Sequence, residues 1–482
     1  MDPAPDTLSA VPAAPGPDEG GNPQDSFGRI ETRGIDRVPE NERHGRPGEL
    51  FPVWMSSNIG YLYVLFGGTL SVLGLTVAQS FTVLIAGNLL WALVGLQAIT
   101  GPASGTPSQV VTRAMYGIRG NRLVGSGIGW LVAVAYEGIN LAIGALAGFS
   151  LLESLGVQPS TATKIVLTVL LGIGTFALSL YGHATIVRFS LLFTVVLGLC
   201  ALALGGFVTR HATLHPAGFH PLHGHELWIA LSIGFTVIAS APLSWSNGAD
   251  YSRYLPADTS KAKVALSTAA GGFVPSVIMG GIGILAGTAV DMSDPETTMR
   301  ALVPGWFYTV FLALIVLSSV TNNVLTAYSS GLYLQALGVR MSRARSVIID
   351  AVIGGALCAY ALLAPKFLTS LNNILALTVA VLGPTMAVYA VDIILRRNDY
   401  DGLALHQEHP DGPFWYRHGY NPAGILAVAA GTVCALFFVN TTVLVGAAAD
   451  AMGGIDLSAV IGPLVAVLVY IPLSNIRKET RP

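Results

Sequence analysis

A short polar stretch inside an apolar segment carries the side chains expected of a site for a small planar molecule. Trp245 offers a flat aromatic face, and the two residues after it, Ser246 and Asn247, offer hydrogen-bond donors and acceptors. Gly248 then allows close approach by other backbone, because it has no side chain. These residue types together predict a site for a planar, polar solute.

The segment around this stretch, residues 232–256, predicts a helix that is interrupted within a membrane. It reads SIGFTVIASAPLSWSNGADYSRYLP, and we expect the break at Ala241-Pro242, because proline cannot donate the helical hydrogen bond. Lipid offers no partner for free backbone groups, so a break at this depth indicates a protein-lined binding site. A proline kink beside an interfacial tryptophan is the alternative interpretation.

A second group of candidate residues lies in GWLVAVAYEGINLAIG, residues 129–144. Tyr136 and Asn140 are four residues apart and therefore share one helix face, which pairs an aromatic ring with an amide. Helix packing is the other interpretation of this pair. Glu137 is an ionisable group within an apolar run, where an uncompensated charge is costly, so it is either a proton carrier or a structural acid.

Polar residues are also dense in LSSVTNNVLTAYSSG, residues 317–331. So many polar groups at membrane depth need partners from a ligand, a cation or facing helices. The hydroxyls and amides of this stretch, which include those of Ser318, Ser319, Asn323 and Thr326, are hard oxygen donors that suit sodium. Near the first apolar segment, FPVWMSSNIGYLY contains Ser56 and predicts a second interrupted helix.

The composition predicts that these residues belong to a polytopic membrane protein. Of 482 residues, 52% are hydrophobic and 11% are charged, against about 25% charged in soluble proteins. Residues 1–46 are rich in Pro, Gly and charged residues and predict a disordered cytoplasmic tail. We expect a transport core over residues 47–400 and two further helices with a cytoplasmic C-terminus over residues 401–482.

Twelve apolar segments, each near the 20 residues that cross a bilayer, set this division. They are residues 52–77, 81–101, 123–152, 163–182, 186–208, 227–248, 264–290, 304–335, 346–364, 370–395, 422–446 and 457–475. This arrangement puts 21 of the 25 Lys and Arg residues on one side of the membrane. The positive-inside rule then predicts that both termini are cytoplasmic.

Two loops have unusual compositions. Residues 101–121, GPASGTPSQVVTRAMYGIRGN, are punctuated by glycine and proline, and form either a cytoplasmic gate element or a tight connection. Residues 211–225 hold several histidines, which we interpret as a solvated loop rather than a metal site, because helix-spaced ligand pairs and thiolates are lacking. We therefore expect no bound metal cofactor.

Four motifs together resemble the nucleobase:cation symporter-1 family, in particular its purine-cytosine permease branch. They are WxSxN in the first segment, GxPxxVxxRxxYGxxGN between the second and third, LSWSNGADYSRYLP after the sixth, and NNxxTxYSxGL in the eighth. The resemblance implies a five-plus-five inverted repeat like that of the leucine and hydantoin transporters, followed by two further helices. It also implies uptake of a heterocycle coupled to protons or sodium.

The resemblance further implies which residues line the site. The positions that match the family pattern are Tyr136, Asn140, Trp245, Ser246 and Asn323, with Ser56 as a further candidate. Two positions depart from that pattern: Tyr136 replaces the usual tryptophan, and Thr326 stands where fungal members resemble one another in having asparagine. Both departures bear on the identity of the substrate.

These observations favour a plasma-membrane transporter that imports cytosine or a purine by cation symport, with protons favoured over sodium. The alternative is a transporter of allantoin, a hydantoin or a vitamin-like pyrimidine or pyridine, with sodium as a possible coupling ion. An integral-membrane enzyme is disfavoured, because the HExxH and Ser-His-Asp signatures are lacking. The expected partners are a small planar heterocycle and the lipid bilayer, without nucleic acid.

Overall fold

The computed structural model describes residues 27–474 except 32, 215–218, 294–297, 340 and 364–366. This part of the chain is helical, with two isolated β-bridges. The first eight principal helices are α1 (Leu50–Asn58), α2 (Tyr61–Val72), α3 (Val77–Asn88), α4 (Trp91–Ala98), α5 (Ile128–Ser154), α6 (Thr161–Tyr181), α7 (His183–Thr209) and α8 (Gly224–Ser244). They are followed by α9 (Gly248–Ser252), α10 (Lys261–Ala286), α11 (Gly305–Ala336), α12 (Arg343–Leu363), α13 (Phe367–Leu395), α14 (Pro422–Phe438) and α15 (Ser458–Leu473).

Nine helical stretches in the described residues are long and apolar enough to cross a membrane. Three shorter apolar helices, α2, α14 and α15, lie where the other three spans are predicted. The predicted all-α class is therefore confirmed, while the count of twelve spans and the inverted repeat stay predictions.

The first and sixth predicted spans are both interrupted. Residues Ile59 and Gly60 separate α1 from α2, which confirms the interruption predicted for the first span. In the sixth span α8 ends at Ser244 and α9 begins at Gly248. The prediction placed this break at Ala241-Pro242, and that position is wrong, because Pro242 lies inside α8 and the chain leaves the helix two residues later. Pro242 lies in the last turn of α8, where the helix tolerates the absence of one backbone N–H donor.

Burial separates the helices around the site from those that face lipid. In the most apolar part of Ile118–Ser154, which contains α5, 72% of the residues are buried, against 17% in α6. Helix α5 packs along α11 and α12, and α2 packs along α10. A side chain at Gly67 of α2 would clash with the backbone of α10 at Gly280, so glycine permits this close contact. The enclosed helices α5 and α11 carry most of the candidate polar residues.

The N-terminal segment differs from its prediction as a disordered tail over residues 1–46. Residues 1–26 lie outside the described part, but residues 27–31 and 33–46 pack against the helices. Val38 is fully buried and its N–H donates to the Gly105 carbonyl over 2.8 Å. Arg43 donates to the Pro102 carbonyl over 2.7 Å. Hydrogen bonds and ion pairs to the membrane helices and their loops thus hold a segment whose own apolar content is too low to fold alone.

Part of the histidine-rich loop lies within the described residues and part outside. His215 falls in the undescribed residues 215–218, whereas His220, His223 and His225 are exposed. Among the described residues there is no group of three or more side chains suited to hold a metal ion. The C-terminal residues 475–482, including the basic residues counted for the predicted topology, also lie outside the described part.

Candidate functional site

Trp245 is held in the break between α8 and α9 by an aromatic cluster. Its ring meets that of Trp54 edge to face, with 5.3 Å between centroids. Trp54 in turn packs against Trp91 and Tyr251, at 5.7 and 5.4 Å. Trp245 is 9% exposed, so its orientation is fixed by packing rather than by solvent. Such a rigid ring can provide a stacking face at little entropic cost.

Hydroxyl groups flank Trp245 on both sides of the break. The Ser244 hydroxyl lies 2.8 Å from the Tyr136 hydroxyl of α5, and the Ser246 hydroxyl lies 2.9 Å from the Tyr333 hydroxyl of α11. Tyr136, Ser244 and Ser246 are partly exposed within the helical core. The structure therefore brings Tyr136 and the Trp245 break together, and it adds Ser244, which the sequence analysis missed.

A chain of amides connects three helices beside this break. Asn140 of α5 donates to the side-chain oxygen of Asn322 of α11 over 2.9 Å. Asn322 donates in turn to the Ser57 carbonyl over 2.8 Å, at the end of α1. Thr326, one turn further along α11, donates to the Asn322 carbonyl over 3.2 Å. Asn322, which was not among the candidates, thus contacts Asn140 through its side chain and Thr326 through its backbone.

Asn323 points elsewhere, because adjacent residues of a helix are about 100° apart. Its side chain donates to the Glu137 carbonyl over 3.2 Å and is 1% exposed. Asn323 therefore fastens α11 to the α5 backbone, and Asn322 is the asparagine that meets Asn140. Because Asn322 and Asn323 are adjacent, the sequence could have suggested both as site residues. It does not determine how α11 is rotated, which decides between them.

The Ser56, Ser318 and Ser319 side chains have different neighbours. Ser56 donates to the Val53 carbonyl and Ser318 to the Ile315 carbonyl, each over 3.0 Å within its own helix. Ser319 lies against Gly144 of α5. The carbonyl of Ser56 accepts a hydrogen bond from Thr321 over 3.1 Å. Helix α11 thus provides donors to the end of α1 through Thr321 and Asn322.

The motif ADYSRYLP carries polar residues that hold loops together. Asp250 accepts hydrogen bonds from the Ser108 N–H over 2.9 Å and from Gln109 over 2.8 Å. Both donors belong to the glycine-rich loop 101–121. A small cavity is lined by these two loop residues together with Ser246 and Tyr333. The loop therefore lies next to the helix break at Ser246.

Arg253 in that motif forms a buried ion pair with Glu31 of the N-terminal segment. The guanidinium lies 2.9 Å from the carboxylate, and both side chains are at most 2% exposed. Tyr254 donates to the same carboxylate over 2.8 Å, and Arg343 lies 3.8 Å from it. Sequence analysis missed Glu31, because no local pattern distinguishes it from the other charges of the segment.

We expect Arg253→Gln to lower the thermal stability of the purified protein. Removing one partner of a buried ion pair costs about 3–5 kcal/mol, and we expect the lower end because Arg343 still faces Glu31. The exposed Arg46→Gln is the matched control, since it also removes one positive charge from the same region. Equal melting temperatures for the two variants would contradict a stabilising role of the pair.

Comparison with known proteins agrees with the motifs. A model of the family described as permease for cytosine/purines, uracil, thiamine, allantoin matches residues 37–462. A relative in Bacillus subtilis (strain 168), named "Putative purine-cytosine permease YxlA", is 26% identical over 94% of this chain and 98% of its own. The purine-cytosine permease fcyB of Emericella nidulans is 26% identical over 64% of this chain and 62% of its own.

Solved structures share the fold. Mhp1, a nucleobase-cation-symport-1 family transporter with bromovinylhydantoin bound in a closed conformation, superposes with a TM-score of 0.70. It is 20% identical and the match covers 93% of this chain and 96% of Mhp1. A Na⁺-coupled sialic acid symporter has a TM-score of 0.56 at 11% identity, over 90% of this chain and 91% of its own. The family match covers most of the chain, which is therefore an integral membrane transporter and not an enzyme. The chain belongs to the family of permeases for cytosine and purines, uracil, thiamine and allantoin, which is the nucleobase:cation symporter-1 family.

Proposed function

We propose that this permease imports a nucleobase, cytosine or a purine, by symport with protons. The observation that carries the proposal is the position of Trp245 in a helix break, next to Tyr136 and the Asn140–Asn322 amide chain. A nucleobase is flat, and it has donors and acceptors along its edges. An aromatic face bordered by amides and hydroxyls suits both properties.

The hydrogen bonds within the site support this ligand class. Tyr136 bonds to Ser244, and Asn140 bonds to Asn322, so these groups are satisfied by each other. A base with alternating donors and acceptors would exchange those bonds for bonds to its own edge. A ligand without such groups that separated these pairs would leave the amides unpaired, at a cost of about 1–3 kcal/mol for each buried group. The arrangement therefore favours polar heterocycles over apolar ones.

The end of α1 favours protons over sodium as the coupling cation. A sodium site beside Ser318 or Ser319 would use carbonyl oxygens released by the interruption of the first span. Two such carbonyls, those of Ser56 and Ser57, already accept hydrogen bonds from Thr321 and Asn322. Sodium at either oxygen would have to share it with that donor, because each carbonyl has only one lone pair left. Glu137, which is fully buried beside Tyr136, offers a proton site instead.

We further propose the complete architecture and orientation. Two interrupted helices in the first and sixth spans are what an inverted repeat of five-plus-five helices requires, with α14 and α15 as the two additional helices. The excess of Lys and Arg on one side supports a protein of the plasma membrane whose two termini lie in the cytoplasm.

A second ligand class has specific support. The family description includes allantoin, uracil and thiamine, and the Mhp1 structure holds a hydantoin. Allantoin, a hydantoin or a vitamin-like pyrimidine or pyridine has a planar ring with amide-like edges, so the same side chains suit it. Such a transporter could also use sodium through Ser318 and Ser319.

Uptake by the purified protein in proteoliposomes tests the proposal. We expect saturable accumulation of unmodified radiolabelled cytosine or adenine under an inward proton gradient, without chemical conversion. A thermal-shift screen of nucleobases, allantoin, hydantoins and vitamins, each with and without sodium, identifies the ligand, because selective binding stabilises the folded state. Stabilisation by allantoin or a hydantoin but by no nucleobase would favour the second class.

We expect Asn140→Ala and Asn322→Ala to change the ranking of competing bases, because a buried amide discriminates by the bonds it makes. A lost bond of about 1–3 kcal/mol corresponds to roughly a 5- to 150-fold change in relative affinity. The neighbouring Asn323→Ala is the control, since Asn323 bonds to backbone. Competition against radiolabelled base measures the ranking. A uniform loss for every ligand in all three variants would indicate structural roles only.

A further inference from the structure

Two buried carboxyl groups lie near each other where α5 packs against α12. Glu137 of α5 and Asp350 of α12 are both fully buried. Gly354, one turn beyond Asp350, marks the contact, since a side-chain carbon there would lie 3.1 Å from a Glu137 carboxylate oxygen. The two acids are far apart in sequence, and only the packing of α12 along α5 brings them together.

The carboxyl groups have few partners. Asp350 accepts a hydrogen bond from the Trp130 indole over 2.8 Å. Its second oxygen and both oxygens of Glu137 have no hydrogen-bond partner among the described residues. The Ser330 hydroxyl of α11 lies beside both acids and is also without a close partner there. This part of the core thus contains unsatisfied acceptors, which the low polarity of the surroundings makes costly.

The charges around the pair are unequal. Arg343 of α12 is the cation that acts on Asp350. However, its guanidinium is shared with the Tyr328 ring, 4.4 Å from the ring centroid, and with Glu31 at 3.8 Å. The charged group that acts on Glu137 is Asp350 itself, which has the same sign. The other groups facing the pair from α5 and α11 are the neutral Trp130 and Ser330, and Asn323 contacts only the Glu137 backbone.

Two carboxylates cannot both be ionised in such a site, because their repulsion adds to the cost of burying each charge. We propose that Glu137 and Asp350 together hold one proton rather than two or none, and that this pair is the coupling site of the transporter. The inference rests on the proton symport proposed above, and it adds Asp350 as the residue that makes Glu137 hold the proton. Asp350 already accepts a hydrogen bond from Trp130, whereas neither oxygen of Glu137 has a partner in the described part of the chain, so in this proposal Glu137 holds the proton.

The location of the pair connects proton binding to the substrate site. Glu137 adjoins Tyr136 in the same turn of α5, and Asn323 ties the Glu137 carbonyl to α11. Loss of the proton would leave two adjacent carboxylates that repel each other and push α12 away from α5. Protonation therefore favours the packed arrangement of these helices, while deprotonation favours their separation.

Infrared spectroscopy of the purified protein tests the pair without any substrate. A protonated carboxylic acid has a carbonyl stretching band that shifts in D2O. We expect this band in the wild type at neutral pH and its loss in Glu137→Gln. In Asp350→Asn the band should persist but disappear at a lower pH than in the wild type, because the neighbouring negative charge is gone. Glu153→Gln, an exposed acid on the same helix, is the matched control and should match the wild type.

Identical band intensities in the wild type and Glu137→Gln would overturn the proposal. A band with the same pH dependence in Asp350→Asn as in the wild type would also overturn it. The Asp350→Asn measurement therefore tests the proposal even if Glu137→Gln does not fold. Counterflow of radiolabelled base separates this inference from the proposed substrate. If the band changes occur as expected but no base is transported, the proposed proton pair stands and the proposed nucleobase substrate is rejected. If a base is transported but the band changes do not occur, only the proposed proton pair is rejected.

Discussion

Glu137→Gln should abolish accumulation of the base driven by an inward proton gradient, while exchange of internal for external base continues. Glutamine keeps the size of the side chain but neither gains nor loses a proton in this range, so the carrier would no longer couple the two gradients. Binding of the base should remain, because Glu137 faces Asp350 while its neighbour Tyr136 faces the helix break. Uptake and counterflow in proteoliposomes, with an imposed pH gradient, measure both activities.

The control for this prediction is Glu153→Gln, which removes an exposed carboxylate from the same helix and should leave accumulation unchanged. Sodium-dependent uptake that is insensitive to the pH gradient and intact in Glu137→Gln would contradict proton coupling. The coupling site would then move to Ser318 and Ser319, and Ser318→Ala and Ser319→Ala should reduce the sodium dependence. The two sets of variants therefore distinguish the two cations.

Trp245→Ala should weaken binding of the base by about 1–3 kcal/mol, which is the range found for base–aromatic stacking. This loss corresponds to a roughly 5- to 150-fold lower affinity. Trp245→Phe should retain part of the affinity, because a smaller aromatic face remains. Thermal-shift titration and competition for uptake measure the change. Since Trp245 also packs against Trp54, the variants must first be compared with the wild type for stability and membrane insertion.

Trp91→Phe is the matched control for Trp245→Phe. Trp91 contacts another edge of the same Trp54 ring, so its replacement disturbs the same aromatic cluster away from the helix break. We expect a loss of stability in both variants but a loss of affinity only at Trp245. Unchanged apparent affinity in correctly inserted Trp245→Ala protein would show that the base binds elsewhere.

Local sequence was sufficient to identify the interrupted helices and several polar positions. The composition around Ser56 and around Trp245 predicted both interruptions, because proline, glycine and polar residues within apolar runs weaken a helix locally. The exact end of α8 at Ser244 was not predicted, because packing of the flanking helices decides how far helical geometry continues past Pro242.

The rotation of a helix and the pairing of distant residues could not be predicted in this way. Asn322 and Asn323 are chemically identical neighbours, and only the packing of α11 against α5 and α1 directs Asn322 to Asn140 and Ser57. The N-terminal segment was predicted to be disordered, because its composition cannot form a core of its own. Glu31 is nevertheless buried against Arg253, a partner 222 residues away in sequence.

The sequence by itself determined that this protein is a helical membrane protein with an interrupted helix carrying Trp245, since hydrophobicity and backbone hydrogen bonding act over a few neighbouring residues. Its class as a transporter was indicated by the family resemblance of four short motifs. Tertiary structure alone decided which amide meets Asn140, that Glu31 pairs with Arg253, and that Asp350 lies beside Glu137. These contacts join residues of different helices, and their energies depend on distance and burial in three dimensions, which periodicity along the chain does not specify.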